Sequence, residues 1–291
     1  MLIHNNIIEK KPNRVVVLGS NGFVGSSISD QLTKMNIPIL KLGKKNVDLL
    51  EFDSDSLLSD YLNKEDFLII VSAIAPVKNE QMFNDNIFMI NQVCKALRMK
   101  RVAHVLNISS DAVFADSKKS LSENSFKAPL NLHGTMHLSR EIILNYCLDE
   151  LSTTLAHLRP TLIYGKNDPH SGYGPNLFRR QLLKNKDIIL FGEGEELRDH
   201  VFIEDVSNIA AKMILRKSSG SLNAVTGNVE SFYEIAKNMK KIFNKKILIK
   251  KTKRNGPMPH DGYRAFDSSL TTKSFPNFKY TNLSDGLVEL L

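Results

Sequence analysis

An α/β protein built on a doubly wound parallel sheet, with a small C-terminal lobe, is the fold class this sequence predicts. Three observations carry it. Short β-branched runs alternate with helical periodicities through the first half of the chain. A glycine-spaced turn separates the first of these runs from the first helix. After Tyr164 the texture changes to Gly, Pro and polar residues, with shorter apolar runs between them.

The elements follow in order. The first 13 residues read as a short polar extension. "RVVVL" (14–18) reads as a strand, "GSNGFVG" (19–25) as a turn, and Ile28, Leu32 and Met35 as the apolar stripe of a helix. "IPILKL" (37–42) and "FLIIVSAIA" (67–75) read as buried strands, and "IFMINQVCKAL" (87–97) as a helix. "VAHVLNISS" (102–110) is the next strand, "MHLSREIILNYCLDEL" (136–151) a long helix, and "TTLAHLRPTLIYG" (153–165) a further strand. Such alternation implies parallel strands with right-handed crossovers. "GKNDPHSGYGPN" (165–176) reads as a long loop. Helices near 177–185 and 205–215, the strand "DIILFG" and the amphipathic helix "SFYEIAKNMKKIFN" come after it. The expected division is a nucleotide-binding domain over 14–165 and a mainly substrate-binding lobe over 166–291, some segments of which return to the first domain.

Bulk properties narrow the function. The chain has 291 residues and a formal net charge of +8, which suits anionic ligands. No RNA-recognition motif accompanies that charge, so nucleic acid is not the expected partner. No apolar run approaches the length of a membrane span and no export signal opens the chain, which places it in the cytoplasm away from membranes. Cys94 and Cys147 both fall in apolar helical patterns, as buried thiols in a reducing compartment do.

The turn "GSNGFVG" carries the first chemistry. Gly19 permits a tight turn, Gly22 lets backbone amides approach a pyrophosphate, and Gly25 lets helix and strand pack closely. Asn21, Phe23 and Val24 lie within the same turn. Its position between a first strand and a first helix points to dinucleotide binding. The second strand runs into "KLGKKNVDLL", without the acidic residue that would pair with the ribose of NAD. Lys44 and Lys45 stand there instead and could contact a 2′-phosphate, so NADP is the favoured cofactor, with NAD the alternative.

The glycine spacing resembles that of the extended short-chain dehydrogenase/reductase superfamily, in its nucleotide-sugar epimerase/dehydratase branch. Further segments over roughly residues 14–245 share the resemblance: "SAIAP" (72–76), "ISSDAVF" (108–114), "LRPTLIYG" (158–165) and "LFGEGEELRDHVFIEDV". The Ser-Ser-Asp turn and the compact chain look most like the dTDP-4-dehydrorhamnose reductase type. The resemblance implies a Rossmann-type sheet. It also implies cofactor contacts at Asp48, Leu49, Ala73, Asn86 and Pro160, with Asn86 at the start of its helix. Ser110 falls at the position of the catalytic Ser or Thr.

That family opens its next long helix with a Tyr-x-x-x-Lys pair. In this chain the frame aligns on "PLNLHGTMH", so His133 stands in the Tyr place and His137 in the Lys place, while Pro129, Gly134 and Glu141 keep the frame. An imidazole can exchange a proton near neutral pH, so His133 is the candidate acid/base. His137, if protonated, could keep the positive charge of the Lys and contact the cofactor. Two histidines without a third ligand signal make no metal site, and none is expected. Ser110 and Asp111 are candidates for substrate contact, Ser110 alternatively capping a strand end and Asp111 capping a turn. Arg198, in "LRDHVF", resembles the branch's diphosphate-binding arginine; its alternative is a salt bridge with Asp205. Arg179 suits the same phosphates or the sugar rim. Tyr164 and Tyr173 are alternative proton donors, with aromatic packing the other reading.

The function implied is an NAD(P)-dependent nucleotide-sugar epimerase, dehydratase or ketoreductase, in surface-polysaccharide sugar synthesis by analogy. The alternative is a catalytically silent NADP-binding relative that regulates a partner. Homodimerisation is left open.

Overall fold

The structure, a computed structural model, describes residues 2–169 and 172–291. Of the loop read over 165–176, His170 and Ser171 lie outside the described residues. In chain order the elements are β1 (Ile3–His4), β2 (Val15–Leu18), α1 (Phe23–Lys34), β3 (Ile39–Leu42), α2 (Ser54–Tyr61), β4 (Phe67–Ile70), α3 (Glu80–Met99) and β5 (His104–Ile108). A 3-10 turn (Asp111–Val113) precedes α4 (Leu132–Glu150), β6 (Thr154–Pro160), β7 (Leu162–Tyr164), α5 (Pro175–Leu183), β8 (Ile188–Phe191) and β9 (Leu197–Phe202). Then come α6 (Ile203–Leu215), β10 (Ser218–Ala224), β11 (Val229–Ser231), α7 (Phe232–Ile242), β12 (Ile249–Thr252), β13 (Tyr263–Arg264), α8 (Ser269–Ser274) and α9 (Leu283–Val288).

The chain divides into two compact units. The first comprises Met1–Ala115, Glu123–Pro160 and Val206–Asn223; the second comprises Asp116–Ser122, Thr161–Asp205 and Ala224–Leu291.

Among the described residues, the first unit is built on a seven-stranded sheet in the order β1-β10-β6-β5-β4-β2-β3. The ladder from β3 through β2, β4 and β5 to β6 is parallel. Strands β2, β4 and β5 are buried along their whole length, which is why they read as continuous apolar runs rather than alternating ones. Val16, Leu18, Leu68 and Ile70 pack with Ile90, Val93 and Leu97 of α3 and with Leu144 and Leu148 of α4. Two asparagines start the long helices. Asn79 accepts the Met82 amide at 2.9 Å at α3, and Asn131 accepts the Gly134 amide at 2.9 Å at α4. Chain order reverses at β2 and β4, and doubly wound sheets bind ligands outside the carboxyl ends of strands at such a point.

Within the second unit, β11 and β13 flank β9, which also pairs with β7; β8 and β12 form a separate parallel pair. Asp199 on β9 accepts the amides of Thr226 (3.1 Å) and Gly227 (2.9 Å), tying the turn before β11 to this sheet.

Three readings are corrected. The N-terminal extension is not merely polar tail: β1 pairs antiparallel with β10, and the Asn5 and Asn6 side chains donate to the Lys217 and Leu215 carbonyls. Backbone pairing needs no apolar side chain, so composition hid it. The strand read across 153–165 is two strands, β6 and β7, which belong to different sheets. Asn86 lies inside α3, whose N-cap is Asn79, rather than at the start of the helix.

Candidate active site

The glycine turn forms at the carboxyl end of β2. Gly19 has φ +94°, a conformation that excludes an ordinary side chain, and a β-carbon there would meet the Ser72 backbone nitrogen at 2.6 Å. A β-carbon on Gly25 would come within 2.2 Å of the Gly19 carbonyl oxygen, so α1 can rest on the turn only without one. Gly22 differs from both. It is exposed, it is the N-cap of α1 with no side-chain cap, and its nearest neighbour for an added β-carbon is Gly19 oxygen at 3.5 Å. The protein therefore leaves open the space in front of the first amides of α1, where Phe23, Val24 and Gly25 begin the helix. That open approach fits a dinucleotide's pyrophosphate. The exposed Asn21 packs over Gly43, where a β-carbon would meet its amide nitrogen at 2.3 Å.

Around this turn, Lys44 and Lys45 are exposed, and Lys44 pairs with Asp48 at 3.2 Å. Leu49 is buried in the core. Asn86 is buried and clamps the segment after β4: its side chain donates to the Ile74 and Met82 carbonyls and accepts the Ile74 amide at 3.0 Å. This bracing holds Ala73, which is half-buried, just beyond β4. The Ala75–Pro76 bond that follows is cis. Pro160 is the buried last residue of β6.

The second cluster gathers where β5 ends. Ser110 caps the 3-10 turn, its hydroxyl accepting the Ala112 amide at 3.1 Å and lying 3.4 Å from an Asp111 carboxyl oxygen. Gly134 allows α4 to approach this turn, since a β-carbon there would lie 2.1 Å from the Ala112 carbonyl oxygen. His133 and His137 follow on one face of α4, their rings edge-to-face with centroids 4.7 Å apart. His133 is half-buried, and its Nδ1 accepts a long 3.5 Å hydrogen bond from the Val77 amide. The proton of the neutral ring then sits on Nε2. Burial lowers the His133 pKa, and the facing Asp111 carboxylate partly offsets it.

His137 corrects one expectation. It is buried, and burial together with His133 and Arg140 holds its pKa well below the usual histidine value. It is therefore neutral at physiological pH and cannot keep a lysine's charge.

Sequence reasoning also missed a buried network behind the histidines. Glu141 accepts both Nε and Nη2 of Arg159 at 2.7 Å, and the Ser109 hydroxyl at 2.6 Å. Burial alone would raise the Glu141 pKa; Arg159, His157 and Ser109 together outweigh it and keep the carboxyl below its ordinary range. The visible signal was Glu141 in the motif frame, but its partners come from separate strands.

In the second unit Arg198 is buried, and its partner is Glu196 at 2.6 Å and the Pro259 carbonyl at 2.6 Å, not Asp205. Asp205 instead accepts the Thr281 amide at 2.8 Å. Arg254 also pairs with Glu196, and Arg264 with Asp116 at 3.3 Å, where His260 also binds. Arg254 reaches Glu195 as well, so Arg198, Arg254 and Arg264 face Glu195, Glu196 and Asp116. Arg179 lies elsewhere in that unit, donating to the Leu290 carbonyl at 2.6 Å. Tyr173 stacks with Phe178, Phe191 and Phe232, and Tyr164 is buried beside Phe202, where burial raises its pKa. Both tyrosines are packing residues. Among the described residues no group of three or more His, Cys, Asp or Glu is arranged to hold a metal ion. No described helix is long and apolar enough to cross a membrane.

The comparisons with known proteins agree with this layout. The chain is 24% identical over 256 residues to ADP-L-glycero-D-manno-heptose-6-epimerase of Alkalilimnicola ehrlichii, covering 76% of this chain and 78% of that protein. Its fold is similar to UDP-glucose 4-epimerase of Thermus thermophilus, solved with NAD, at TM-score 0.83 and 18% identity over 95% of this chain and 97% of that one. It is likewise similar to a GDP-L-fucose synthetase of Naegleria fowleri bound to NADP, at TM-score 0.85 and 17% identity over 99% and 94%. The model of the NAD dependent epimerase/dehydratase family matches residues 15–225, from β2 through β10, and the chain belongs to that family.

Proposed function

We propose that this protein is an NAD(P)-dependent enzyme of nucleotide sugars, an epimerase, dehydratase or ketoreductase, with His133 as its acid/base group. The observation that carries the reading is the cluster at the end of β5. Gly134 brings α4 onto the 3-10 turn, which sets His133, Asp111 and Ser110 together in the unit that holds the glycine cradle. When bound, the nicotinamide supplies or takes the hydride. His133 exchanges a proton through Nε2, because Nδ1 is occupied by the Val77 amide. The Asp111 carboxylate opposes the loss of basicity that burial imposes and stabilises the ring when it is protonated. Ser110 holds the reacting oxygen through its hydroxyl. Lys44 and Lys45 favour NADP. Supply of sugars for surface polysaccharide is the setting.

The test is turnover on UDP-, dTDP-, ADP- and GDP-sugars with NADP and NAD, comparing wild type with His133→Gln. The variant keeps its fold and cofactor affinity and loses turnover by on the order of 10²–10⁴. A wild type that binds cofactor but turns over no nucleotide sugar would make the chain a silent, cofactor-sensing relative. Unchanged turnover in His133→Gln would remove His133 from the chemistry.

A further inference from the structure

Strands β8 and β12 of the second unit run parallel, with Ile188 opposite Ile249. The segments that lead into them, one from the end of α5 and one from the end of α7, therefore lie at the same end of the pair. Hydrogen bonds join the two segments. Lys245 Nζ donates to the Asn185 side-chain oxygen at 2.8 Å, the Leu248 amide to the Asp187 carboxylate at 2.9 Å, and the Ile188 amide to the Leu248 carbonyl at 3.0 Å. Residues 183–187 and 240–250 together hold seven lysines and one carboxylate, Asp187, which Lys250 already engages at 2.7 Å. Lys184, Lys186, Lys241 and Lys246 are exposed. Two leucines stand in water among them, Leu183 at 52% exposure and Leu248 at 59%.

A lysine at the carboxyl end of a helix suits the helix dipole, which accounts for Lys184 after α5 and for Lys240 and Lys241 in the last turn of α7. It accounts neither for the lysines beyond the helices nor for the leucines placed among them. A nucleic acid would match the charge alone. Surfaces that hold single strands stack bases on aromatic rings and arginine planes. These segments hold no arginine, and their one aromatic residue, Phe243, is buried. A bilayer with anionic headgroups matches both components. Flexible lysine stems set ammonium groups among the phosphates, while apolar side chains between them enter the boundary of the acyl chains.

We propose that this end of the second unit is a docking surface for an anionic lipid bilayer, its lysines held by the headgroups and Leu183 and Leu248 inserted between them. Such a contact is peripheral and needs no spanning helix. It revises the expectation of a chain kept away from membranes. It uses no residue of the candidate active site, so it stands or falls independently of the proposed reaction.

The experiment is cosedimentation of the full chain with vesicles of phosphatidylcholine alone, or of phosphatidylcholine mixed with phosphatidylglycerol, at low and high salt. Wild type is compared with two variants: Lys184→Gln, Lys186→Gln, Lys241→Gln and Lys246→Gln combined, and Leu183→Ser with Leu248→Ser. All six side chains are exposed, so both variants keep the wild-type melting temperature. Wild type sediments with the mixed vesicles and not with the neutral ones, and salt releases it. Each lysine at an anionic surface contributes roughly fivefold to partitioning, so the lysine variant loses on the order of 10²-fold or more. The serine variant loses roughly tenfold, because the apolar part of the contact is gone. A wild type that stays in the supernatant with the mixed vesicles would overturn the proposal, and so would either variant sedimenting as wild type does. Binding to single-stranded RNA that is tighter than binding to vesicles, and indifferent to the leucine substitutions, would make the patch a nucleic-acid surface instead.

Discussion

A single methyl group tests the cradle most directly. Gly25→Ala places a carbon 2.2 Å from the Gly19 carbonyl oxygen, a backbone atom that cannot swing away. Overpacking of this kind costs about 1–3 kcal/mol, so urea unfolding shifts by that amount and NADPH affinity falls with it. Glu141→Gln acts behind the site. It leaves the buried Arg159 without a counter-charge, which costs about 3–5 kcal/mol of stability by chemical denaturation. The surface lysines are the mild case. Lys44→Ala with Lys45→Ala narrows the gap between NADPH and NADH affinity, while stability changes by no more than about 1 kcal/mol, since Lys44 reaches the half-buried Asp48 from an exposed position. A clear preference for NADH that the double substitution leaves untouched would remove the 2′-phosphate argument.

Helix α4 carries most of the candidate site, and its placement depends on two contacts at its amino end. Asn131 caps it through the Gly134 amide, and Gly134 lets it touch the 3-10 turn. Asn131→Ala removes the cap and costs about 1 kcal/mol. Gly134→Ala acts differently. Its new β-carbon would lie 2.1 Å from the Ala112 carbonyl oxygen, so the helix and the Ser110–Asp111 turn must separate. Turnover then falls far more than NADPH affinity does, because the glycine cradle belongs to other elements. Equal losses in steady-state kinetics and in cofactor titration would show that α4 and the cradle move as one body.

The whole molecule responds to acid through its buried imidazoles. His104, His157 and His200 are buried, and burial lowers each pKa to about 4 from 6.5. Burial acts on His137 in the same direction. A folded-state pKa below the unfolded one means that the unfolded chain binds more protons between the two values. Stability is therefore full above pH about 6.5 and falls as the pH drops toward 4, by about 3 kcal/mol for each of the three residues. Urea unfolding followed across that window shows a slope of about three protons taken up on unfolding at its steepest part. A flat stability curve between pH 6.5 and 4 would mean that these rings are solvated.

From β2 to β6 the order of strands and helices, apart from the short α2 (Ser54–Tyr61), and the glycine turn were legible in the chain itself, because both rest on local physics. Fully buried strands must be apolar along their length, amphipathic helices must repeat every 3.6 residues, and only glycine tolerates the φ of residue 19 and the contacts of residue 25. The pair His133 and His137 was equally visible, as a spacing on one helix. Other features belonged to contacts between distant residues. The extension before β2 became a strand because β10 offers it an edge, and the run 153–165 split because its two parts pair with different sheets. Arg198 took Glu196 rather than Asp205. The charge states were decided the same way. The His137 pKa is held down by what surrounds it, and Arg140 has no carboxylate partner among the described residues, since the adjacent Glu141 is engaged by Arg159 from another strand. Spacing along a chain sets which face a side chain occupies, whereas desolvation and pairing depend on neighbours that only the folded structure assembles.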